Sequence, residues 1–502
     1  MEQFDVLIVG SGMGGLVCAA ILGMEGYKVC VVEKNKQLGG CLQTYVRDRV
    51  IFDSGVHYLG GLEKGQNLYQ IFKYLGLMDK LKLQKMDEDV FDKILIDNDE
   101  KEYVYAQGYE NFIAKLVADF PDEEAAIRQY CDKIKEVCKR FPLYNLRSGA
   151  HDEKEGVLEI DTKGYIDSLT TNKTLRSVLA GNNPLYAGQG NKTPFYVHAL
   201  ILNSYIESSY KCIDGGSQIS KILAKNIRDN GGVIYRNTEV KRIVEENGSV
   251  THVVLADGSK MWAKDFISNM HPVKTLEMTQ TDHIRTAYRK RLGNLENSIS
   301  TFILNIVFKK NSFRYFKYNY YVHNDGYLWT AGDYTEENWP LGYAIFLSPS
   351  SKSAEYAEGM TVLTYMRYDE VKQWEHTFNT VSREDDRGTD YDKFKKRKAE
   401  KLLDSVEKKF PGLRNHIRAY YTASPLSFRD YIGNDDGSLY GIVKDYKDPL
   451  KTFISPRTKL PNLYFTGQNL NLHGILGAAM SALVTCSALM KNDSLIEKIR
   501  NA

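Results

Sequence analysis

The sequence lacks the hallmarks of several protein classes. Its 66 basic and 64 acidic residues leave a net charge of +2, so charge gives no reason to expect nucleic acid as a partner. Its seven cysteines are scattered, without a Cys-x-x-Cys pair or a group of cysteines and histidines at metal-ligand spacing. We therefore expect no metal and a reducing compartment. Cys131 and Cys138 lie on one predicted helix face, where shared burial is favoured over a disulfide.

Long apolar runs are also missing. No stretch reaches the roughly 18 apolar residues that a membrane-spanning helix needs. The apolar N-terminus carries Glu2 and Asp5 where a signal peptide has basic residues. These features predict a cytoplasmic protein. The lysine run of a helix predicted at 390–410 leaves open a peripheral contact with an anionic membrane, beside the alternative of a solvated helix face.

Glycine is concentrated in the stretch FDVLIVGSGMGGLVCAAILGMEGYKVCVVEKN, residues 4–35. Its apolar runs predict two buried strands with a helix between them, and the glycines fall at the first strand-to-helix turn. Gly10, Gly12 and Gly15 fit the G-x-G-x-x-G spacing, in which bare backbone approaches a pyrophosphate at a helix N-terminus. Glu33 ends the second strand, where a carboxylate accepts hydrogen bonds from ribose hydroxyls. This frame predicts a bound dinucleotide.

No second glycine fingerprint follows a strand elsewhere in the sequence. An enzyme with separate domains for FAD and for a nicotinamide needs two such units. We therefore expect one dinucleotide and no nicotinamide domain, which leaves the supply of electrons to an external partner.

The periodicity changes several times downstream. Residues 69–210 have a largely helical pattern, with one helix interrupted at Pro121. The Asn-Gly at 247–248 and the Asp-Gly at 257–258 predict hairpin turns between short strands. Alternating runs at 301–367 predict an antiparallel sheet, and the C-terminal segment predicts a strand, a polar loop and a helix of small residues.

Several motifs together resemble the FAD-dependent amine oxidase and carotenoid desaturase superfamily, and within it the retinol saturase and carotenoid isomerase branch. They are GSGMGGL with VVEKN and LGG, FDSGVHYLGG, IDGGSQISKILAKNI with NTEVKRIV, and LYFTGQNLNLHGILGAAMSA. The resemblance spans nearly the whole chain. It implies an α/β fold, with a discontinuous Rossmann-like FAD-binding domain and a mixed α+β substrate domain of antiparallel sheet and helical insertion. The implied boundaries are 1–68, 205–275 and 455–502 for the first domain, and 69–204 and 276–454 for the second.

The resemblance also implies which residues hold the cofactor. Gly39 and Gly40 bring backbone close to the flavin, the Val240 backbone contacts adenine, and Gly467 and Gln468 lie beside the ribityl chain. With the first turn and the C-terminal helix included, the implied FAD-binding residues are Gly10, Ser11, Gly12, Met13, Gly14, Gly15, Glu33, Lys34, Gly39, Gly40, Cys41, Val240, Gly467, Gln468, Leu476, Gly477 and Ala478.

The sequence departs from the family at two of these places. Cys41 stands where many relatives have arginine, and Gln468 with Asn469 replaces an acidic residue that is frequent in the last loop. Relatives that bind flavin covalently use a cysteine in a C-terminal attachment segment, and none stands there in this chain. A noncovalent FAD is therefore expected.

Flavin N5 accepts or delivers hydride itself, so the protein must supply orientation, dryness and at most a proton donor. His57 and His473 lie in the two loops predicted to meet at the flavin, and either is a candidate to exchange a proton near neutral pH. The alternative for each is a histidine that only binds loop backbone. Tyr440 and Arg429 are weaker candidates for the pocket.

Three functions are compatible with the sequence. The first is a redox enzyme on the C–C and C=C bonds of an apolar polyene or isoprenoid, acting as a saturase, desaturase or isomerase with an external electron donor or acceptor. The second is a flavin amine oxidase. The third is a carrier of prenylated partners without catalysis, because a related fold serves that purpose. The intact glycine turn and Glu33 favour a retained flavin and hence an enzyme.

Overall fold

The strand-helix-strand unit at the N-terminus folds as its hydrophobic pattern predicts. The computed structural model describes residues 4–96, 100–149, 151–324, 326–330, 332–492 and 494–502. A strand at Phe4–Val9 is followed by a helix at Met13–Met24 and a strand at Val29–Val32. All four residues of the second strand are buried, as expected for a strand that is covered on both faces.

The strands are numbered in chain order through the described part of the protein. They are β1 (Phe4–Val9), β2 (Val29–Val32), β3 (Thr44–Arg47), β4 (Val50–Asp53), β5 (Leu59–Gly60), β6 (Leu83–Lys85), β7 (Asp92–Ile96), β8 (Tyr103–Tyr105), β9 (Ser209–Cys212), β10 (Val233–Tyr235), β11 (Val240–Glu246), β12 (Ser249–Leu255), β13 (Lys260–Ser268), β14 (Thr279–Gln280), β15 (Ser300–Phe308), β16 (Asn319–His323), β17 (Gly342–Phe346), β18 (Gly359–Met366), β19 (Asn379–Thr380), β20 (Arg383–Glu384), β21 (Ile417–Ala423) and β22 (Leu463–Phe465).

The α-helices are numbered in the same way, and short 3-10 turns connect several of them. They are α1 (Met13–Met24), α2 (Asn67–Tyr74), α3 (Tyr109–Asp119), α4 (Glu124–Lys139), α5 (Thr162–Leu169), α6 (Lys173–Leu179), α7 (Phe195–Glu207), α8 (Ser217–Asp229), α9 (Pro272–Met278), α10 (Thr286–Gly293), α11 (Gly388–Lys409), α12 (Pro425–Ile432), α13 (Gly474–Met490) and α14 (Ser494–Arg500).

One sheet carries the glycine turn. Its strand order is β10-β2-β1-β13-β12-β11-β14, with β22 paired to β13. The pairs joining β10, β2, β1, β13 and β22 are parallel, and α1 packs against α8 and α13. Val9 at the end of β1 is level with Val32 at the end of β2. The carboxyl ends of these parallel strands therefore bring Gly10 and Glu33 to the same edge, where ligands of such sheets bind.

A second sheet is formed by strands from two separate segments of the chain, 92–105 and 300–423. Its order is β21-β15-β18-β17-β16-β7-β8, and all its pairs are antiparallel except β7 with β16. A largely parallel sheet and a largely antiparallel one confirm the predicted α/β class with a Rossmann-like region and a mixed α+β region. The domain boundaries given above stay a prediction.

Three local predictions are confirmed, and the structure adds short strands to one of the regions. The turns at 247–248 and 257–258 join β11 to β12 and β12 to β13 as antiparallel pairs, and the helix break at Pro121 separates α3 from α4. Residues 69–210 are not simply helical, because they also contribute β6, β7, β8 and β9. The short run DKILI of β7 is stabilised as a strand by pairing with β16, a partner more than two hundred residues away that no local pattern announces.

The cysteines agree with the expectation that Cys131 and Cys138 form no disulfide. All seven cysteines are free thiols, including Cys131 and Cys138 on α4. In α11, the partly exposed Lys401 and the fully buried Lys398 both pair with Glu336, and the choice between a solvated face and a membrane contact stays a prediction. Within the described ranges, no helix combines the length and apolar character required to span a bilayer.

Candidate dinucleotide and substrate site

The turn between β1 and α1 is built around close backbone contacts. A Cβ atom added to Gly15 would lie 2.1 Å from the carbonyl oxygen of Gly10, so a side chain here would force the helix away from the strand. Gly12 is the N-cap of α1 and its carbonyl accepts the first helical hydrogen bond, from Leu16. The free N–H groups of the first helical turn therefore point to the sheet edge, where they favour an anion.

Glu33 is bound to this turn. Its Oε2 accepts hydrogen bonds from the Ser11 backbone N–H at 2.9 Å and from the Ser11 hydroxyl at 2.6 Å, while Oε1 accepts from the Asn35 N–H at 2.8 Å. Glu33 is only 6% exposed. The carboxylate is thus held rigidly at the carboxyl end of β2, in the place from which it can accept from ribose hydroxyls.

A cavity of about 750 Å³ opens along this edge of the sheet, within the range of about 300–1,000 Å³ that is usual for cofactor and small-molecule sites. It brings together most of the residues implied by the family resemblance. Those that line it are Gly10, Ser11, Gly12, Met13, Gly14, Glu33, Lys34, Gly39, Gly40, Cys41, Val240, Gly467, Gln468 and Ala478.

Three residues of the predicted set lie elsewhere. Gly15 packs α1 on β1 and is not part of the wall of the large cavity. Leu476 and Gly477, on the first turn of α13, face a second cavity. Their part in cofactor binding stays a prediction.

Asn269 is a component of the large cavity that the sequence reasoning missed. Cβ atoms added to Gly12, Gly14 and Gly467 would lie 2.7, 2.6 and 2.6 Å from its amide atoms, so these glycines make room for this side chain. Asn269 directly follows β13, and its backbone N–H donates to the carbonyl of Val9. Its position after a parallel strand is the signal that could have found it, since ligands bind at the carboxyl ends of such strands.

The shape and donor set of the large cavity fit a dinucleotide. The bare glycine turn has room for a pyrophosphate, Glu33 has the chemistry to accept from ribose hydroxyls, and the Asn269 amide lies beside the turn as a neutral polar group. The Lys34 ammonium donates to the Asp430 carbonyl at 3.0 Å, which holds this side chain in the wall of the cavity. Burial raises the pKa of the Cys41 thiol to about 11, so this cysteine is an uncharged thiol near neutral pH.

A second cavity, of about 150 Å³, adjoins the first. The two share Gly55, Val56, Gly474 and Ile475 in their walls. The second cavity is aromatic and aliphatic, and its larger ring side chains are Tyr58, Tyr144, Tyr205, Tyr321, Phe346 and Tyr440. An apolar molecule in it would thus lie beside a group bound in the large cavity.

His57 and His473 both line the aromatic cavity, which the sequence could only suggest. The His57 ring stacks on Phe346 at a centroid distance of 4.3 Å, and its Nε2 is buried without a partner among the described residues. His473 donates from Nε2 to the carbonyl of Leu185 at 2.9 Å. Burial lowers the pKa of His57 to about 3 and that of His473 to about 4. Burial therefore favours the neutral form of both rings, and the proton exchange expected of them stays a prediction.

The two weaker candidates lie in different places. Tyr440 lines the aromatic cavity and its hydroxyl donates to the carbonyl of Pro184 at 2.8 Å. Arg429 lines the large cavity, where its guanidinium pairs with the buried carboxylate of Asp430. Asp430 also pairs with Arg387, so this arginine cluster braces the outer wall and does not reach the aromatic cavity.

Comparison with known proteins agrees with this architecture. Residues 8–75 match a family model described as an NAD(P)-binding Rossmann-like domain. Human all-trans-retinol 13,14-reductase is 26% identical in an alignment that covers 98% of this chain and 86% of the reductase. Prolycopene isomerase from Daucus carota is also 26% identical, over 99% of this chain and 81% of the isomerase. The similarity to these relatives thus extends over nearly the whole chain.

Solved structures share the fold at lower identity. An oxidoreductase from Methanosarcina mazei aligns with a TM-score of 0.64 and 16% identity, over 97% of this chain and all of that one. A putrescine oxidase bound to putrescine aligns with a TM-score of 0.63 and 13% identity, over 98% of this chain and all of that one. Identities this low establish a common architecture and nothing about substrate.

Proposed function

We propose, on the premise that the chain belongs to the superfamily of FAD-dependent amine oxidases and carotenoid desaturases, that it is an FAD-dependent oxidoreductase acting on C–C and C=C bonds of an apolar polyene or isoprenoid. Its relatives include proteins named as a retinol 13,14-reductase and a prolycopene isomerase, whose substrates are both conjugated polyenes. A saturase, a desaturase and an isomerase are the three forms that this activity takes.

The observation that carries the proposal is the junction of the two cavities. The dinucleotide cavity and the aromatic cavity meet at Gly55, Val56, Gly474 and Ile475. FAD held by the glycine turn, Glu33 and the segment after β22 supplies hydride transfer at N5 when it is bound. The chain then has to place an apolar double bond beside the cofactor and exclude water, which the aromatic lining does.

The lining of the aromatic cavity suits an apolar substrate. It shares Pro184, Ala344 and Leu363 with a smaller cavity that is also lined by Tyr327, a residue 41% exposed. The apolar lining therefore continues from the aromatic cavity toward this partly exposed tyrosine. Each CH₂ group buried along it contributes about 0.8 kcal/mol, so binding does not require a charged contact.

The residues that line the two cavities support an amine oxidase or a carrier less well than a polyene oxidoreductase. No residue that lines the aromatic cavity carries a carboxylate within the described ranges, so a cationic amine would find no ion-pair partner in the wall itself. A carrier without cofactor would have no use for the roughly 750 Å³ cavity with its bare glycine turn and buried Glu33. We further propose an external electron donor or acceptor, because the chain has one glycine fingerprint.

The proposal is tested under anaerobic conditions. The bound flavin is photoreduced, retinol or a carotenoid is added, and flavin reoxidation and the polyene absorption band are followed together. Loss of the polyene band with flavin reoxidation indicates saturation, whereas a band shift without net flavin oxidation indicates isomerisation. The Gly12→Val protein, which should lack flavin, is the control for light-driven changes. If no polyene reacts but a simple amine bleaches the oxidised flavin, the chain is an amine oxidase and the proposal fails.

A further inference from the structure

A buried carboxylate lies directly behind the aromatic cavity. Asp92, the first residue of β7, has no exposed surface. Its Oδ2 accepts hydrogen bonds from the Tyr58 hydroxyl at 2.9 Å and from the Asn182 amide at 2.8 Å, and its Oδ1 accepts from the Asn319 amide at 2.8 Å. The hydroxyls of Tyr58 and Tyr321 lie 2.8 Å apart. Both tyrosines line the cavity, so a continuous hydrogen-bonded row runs from the carboxylate to the cavity wall.

The direction in which the hydroxyls of this row donate their hydrogen bonds depends on whether Asp92 is protonated. When Asp92 is ionised, Tyr58 donates to it and Tyr321 donates to Tyr58, so every hydroxyl hydrogen points away from the cavity. When Oδ2 is protonated, it donates to Tyr58, and Tyr58 donates to Tyr321. The Tyr321 hydroxyl hydrogen then has no acceptor in the row and is available for donation into the cavity. One proton on Asp92 therefore determines whether the cavity is offered a proton donor.

The surroundings of Asp92 raise its pKa toward neutral pH. Burial raises the pKa of Asp92 to about 6, against the opposing effect of its three hydrogen bonds. The charged group facing it is Lys211, which is 1% exposed and donates to the carbonyl of Leu347 at 2.9 Å. Burial lowers the pKa of Lys211 to about 7, so its charge opposes protonation of Asp92 only partly at neutral pH.

We propose that Asp92, Tyr58 and Tyr321 form a proton-delivery chain, with Tyr321 as the group that gives the proton to the substrate in the aromatic cavity. The inference deepens the proposed function and depends on it. Tyr321 is the catalytic residue in this scheme. Tyr58 and Asp92 act through it and are positioning residues that also restore its proton.

The delivery step balances for reduction of a double bond. A reduced flavin held in the large cavity would supply the hydride for one C–H bond and be oxidised, and the π electron pair would remain on the neighbouring carbon. That pair takes the Tyr321 proton and forms the second C–H bond. Tyr321 then recovers a proton from Tyr58, and Tyr58 recovers one from Asp92. The carboxylate is protonated again from solvent before the next turnover.

The test compares four variants of the flavin-loaded protein. Tyr321→Phe and Tyr58→Phe should slow reoxidation of the reduced flavin by a polyene by about 10²- to 10⁴-fold, the usual contribution of a positioned acid, with flavin content and polyene binding unchanged. Asp92→Asn should slow it and also remove its pH dependence. The matched control is Tyr130→Phe, a fully buried tyrosine of the same apolar cluster whose hydroxyl donates to the Leu179 carbonyl at 2.8 Å and which lines no described cavity.

The pH profile separates proton delivery from a structural role. Because Asp92 must be protonated to act, the wild-type rate should fall as the pH rises through about 6, whereas Asp92→Asn should give a flat profile. If Asp92→Asn does not fold, the profile of Tyr58→Phe should be flat for the same reason. Wild-type rates in Tyr321→Phe would overturn the chain and leave the proposed function intact.

A measurement that needs no substrate distinguishes failure of the chain from failure of the function. Infrared difference spectra between low and neutral pH should show the band of a protonated carboxyl that is lost in Asp92→Asn, shifted in Tyr58→Phe and unchanged in Tyr130→Phe. If no polyene reacts but this pattern is found, the proposed function is wrong and the hydrogen-bonded chain stands. If the pattern is missing, the chain is wrong whatever the substrate.

Discussion

Ser11 binds the same carboxylate oxygen of Glu33 twice, through its backbone N–H at 2.9 Å and its hydroxyl at 2.6 Å. These two hydrogen bonds join the glycine turn to the end of β2 across the edge of the sheet without help from a ligand. Hydrogen bonds to a charged acceptor are each worth about 1.5–3 kcal/mol, so this contact has a structural value besides its value for ribose binding.

Replacing Glu33 with glutamine should therefore affect stability and cofactor binding together. The amide nitrogen of glutamine cannot accept from Ser11 or Asn35, so donors on one side of the carboxylate lose their partner. We expect a loss of about 1–3 kcal/mol in the free energy of unfolding of the apoprotein and at least about tenfold weaker FAD binding. Urea unfolding and flavin fluorescence measure the two quantities. Glu246→Gln, at the exposed end of β11, should change neither, and an unchanged FAD affinity in Glu33→Gln would contradict the ribose role.

The glycines of the first turn should separate into two classes. A methyl group on Gly15 would meet the backbone carbonyl of Gly10, which cannot move without separating α1 from β1. Gly15→Ala should thus lower the melting temperature of the apoprotein. A Cβ atom on Gly12 would meet the tip of the Asn269 side chain, which can turn aside. Gly12→Val should accordingly keep the apoprotein folded but abolish FAD binding, because the branched side chain fills the space of the pyrophosphate. Calorimetry and flavin content decide, and full flavin content in Gly12→Val would show that the turn is only structural.

The flavin should be bound without a covalent bond. Cys41, the cysteine in the wall of the large cavity, is a protonated thiol because burial raises its pKa to about 11, and a thiol is a poor nucleophile. The purified protein is expected to be yellow, and acid precipitation should leave the flavin in the supernatant. Flavin in the pellet of the wild type but not of Cys41→Ser would identify Cys41 as an attachment site and refute this expectation. A colourless protein that gains no flavin on reconstitution would favour the carrier alternative.

Asp53 should make stability depend on pH. It is 4% exposed, its Oδ1 accepts from the Gly216 N–H at 2.7 Å, and burial raises its pKa to about 7. The folded protein therefore holds this proton more tightly than the unfolded chain, so the free energy of unfolding falls as the pH rises from about 4 to about 7.

The neutral variant Asp53→Asn keeps the acceptor oxygen and lacks the titration. Relative to the wild type, it should gain stability over that pH window, by about 1.4 kcal/mol for each unit by which the pKa is raised. Urea unfolding at a series of pH values measures the difference. A difference between the two proteins that stays constant from pH 4 to pH 8 would show that Asp53 titrates normally.

The sequence determined the local parts of this molecule. The strand, glycine turn and helix at Gly10 to Gly15 were predictable because turn geometry and hydrophobic period depend on neighbours in the chain. The hairpins near 247 and 257 and the break at Pro121 were predictable for the same reason. The match of the motifs to known relatives also lies in the sequence, and it led to the implied cofactor residues, most of which share one cavity.

Only the tertiary structure decided how distant residues combine. No local pattern shows that Asn269 fills the space beside Gly12 and Gly467, or that β7 pairs with β16. His57 and His473 were named from their loops, but their lowered pKa values follow from burial, which depends on everything packed around them. Asp92 gave no signal at all in the sequence. Its chemistry arises because the fold brings Tyr58, Asn182 and Asn319 to one buried carboxyl. Hydrogen bonds and charges interact more strongly there because water is excluded.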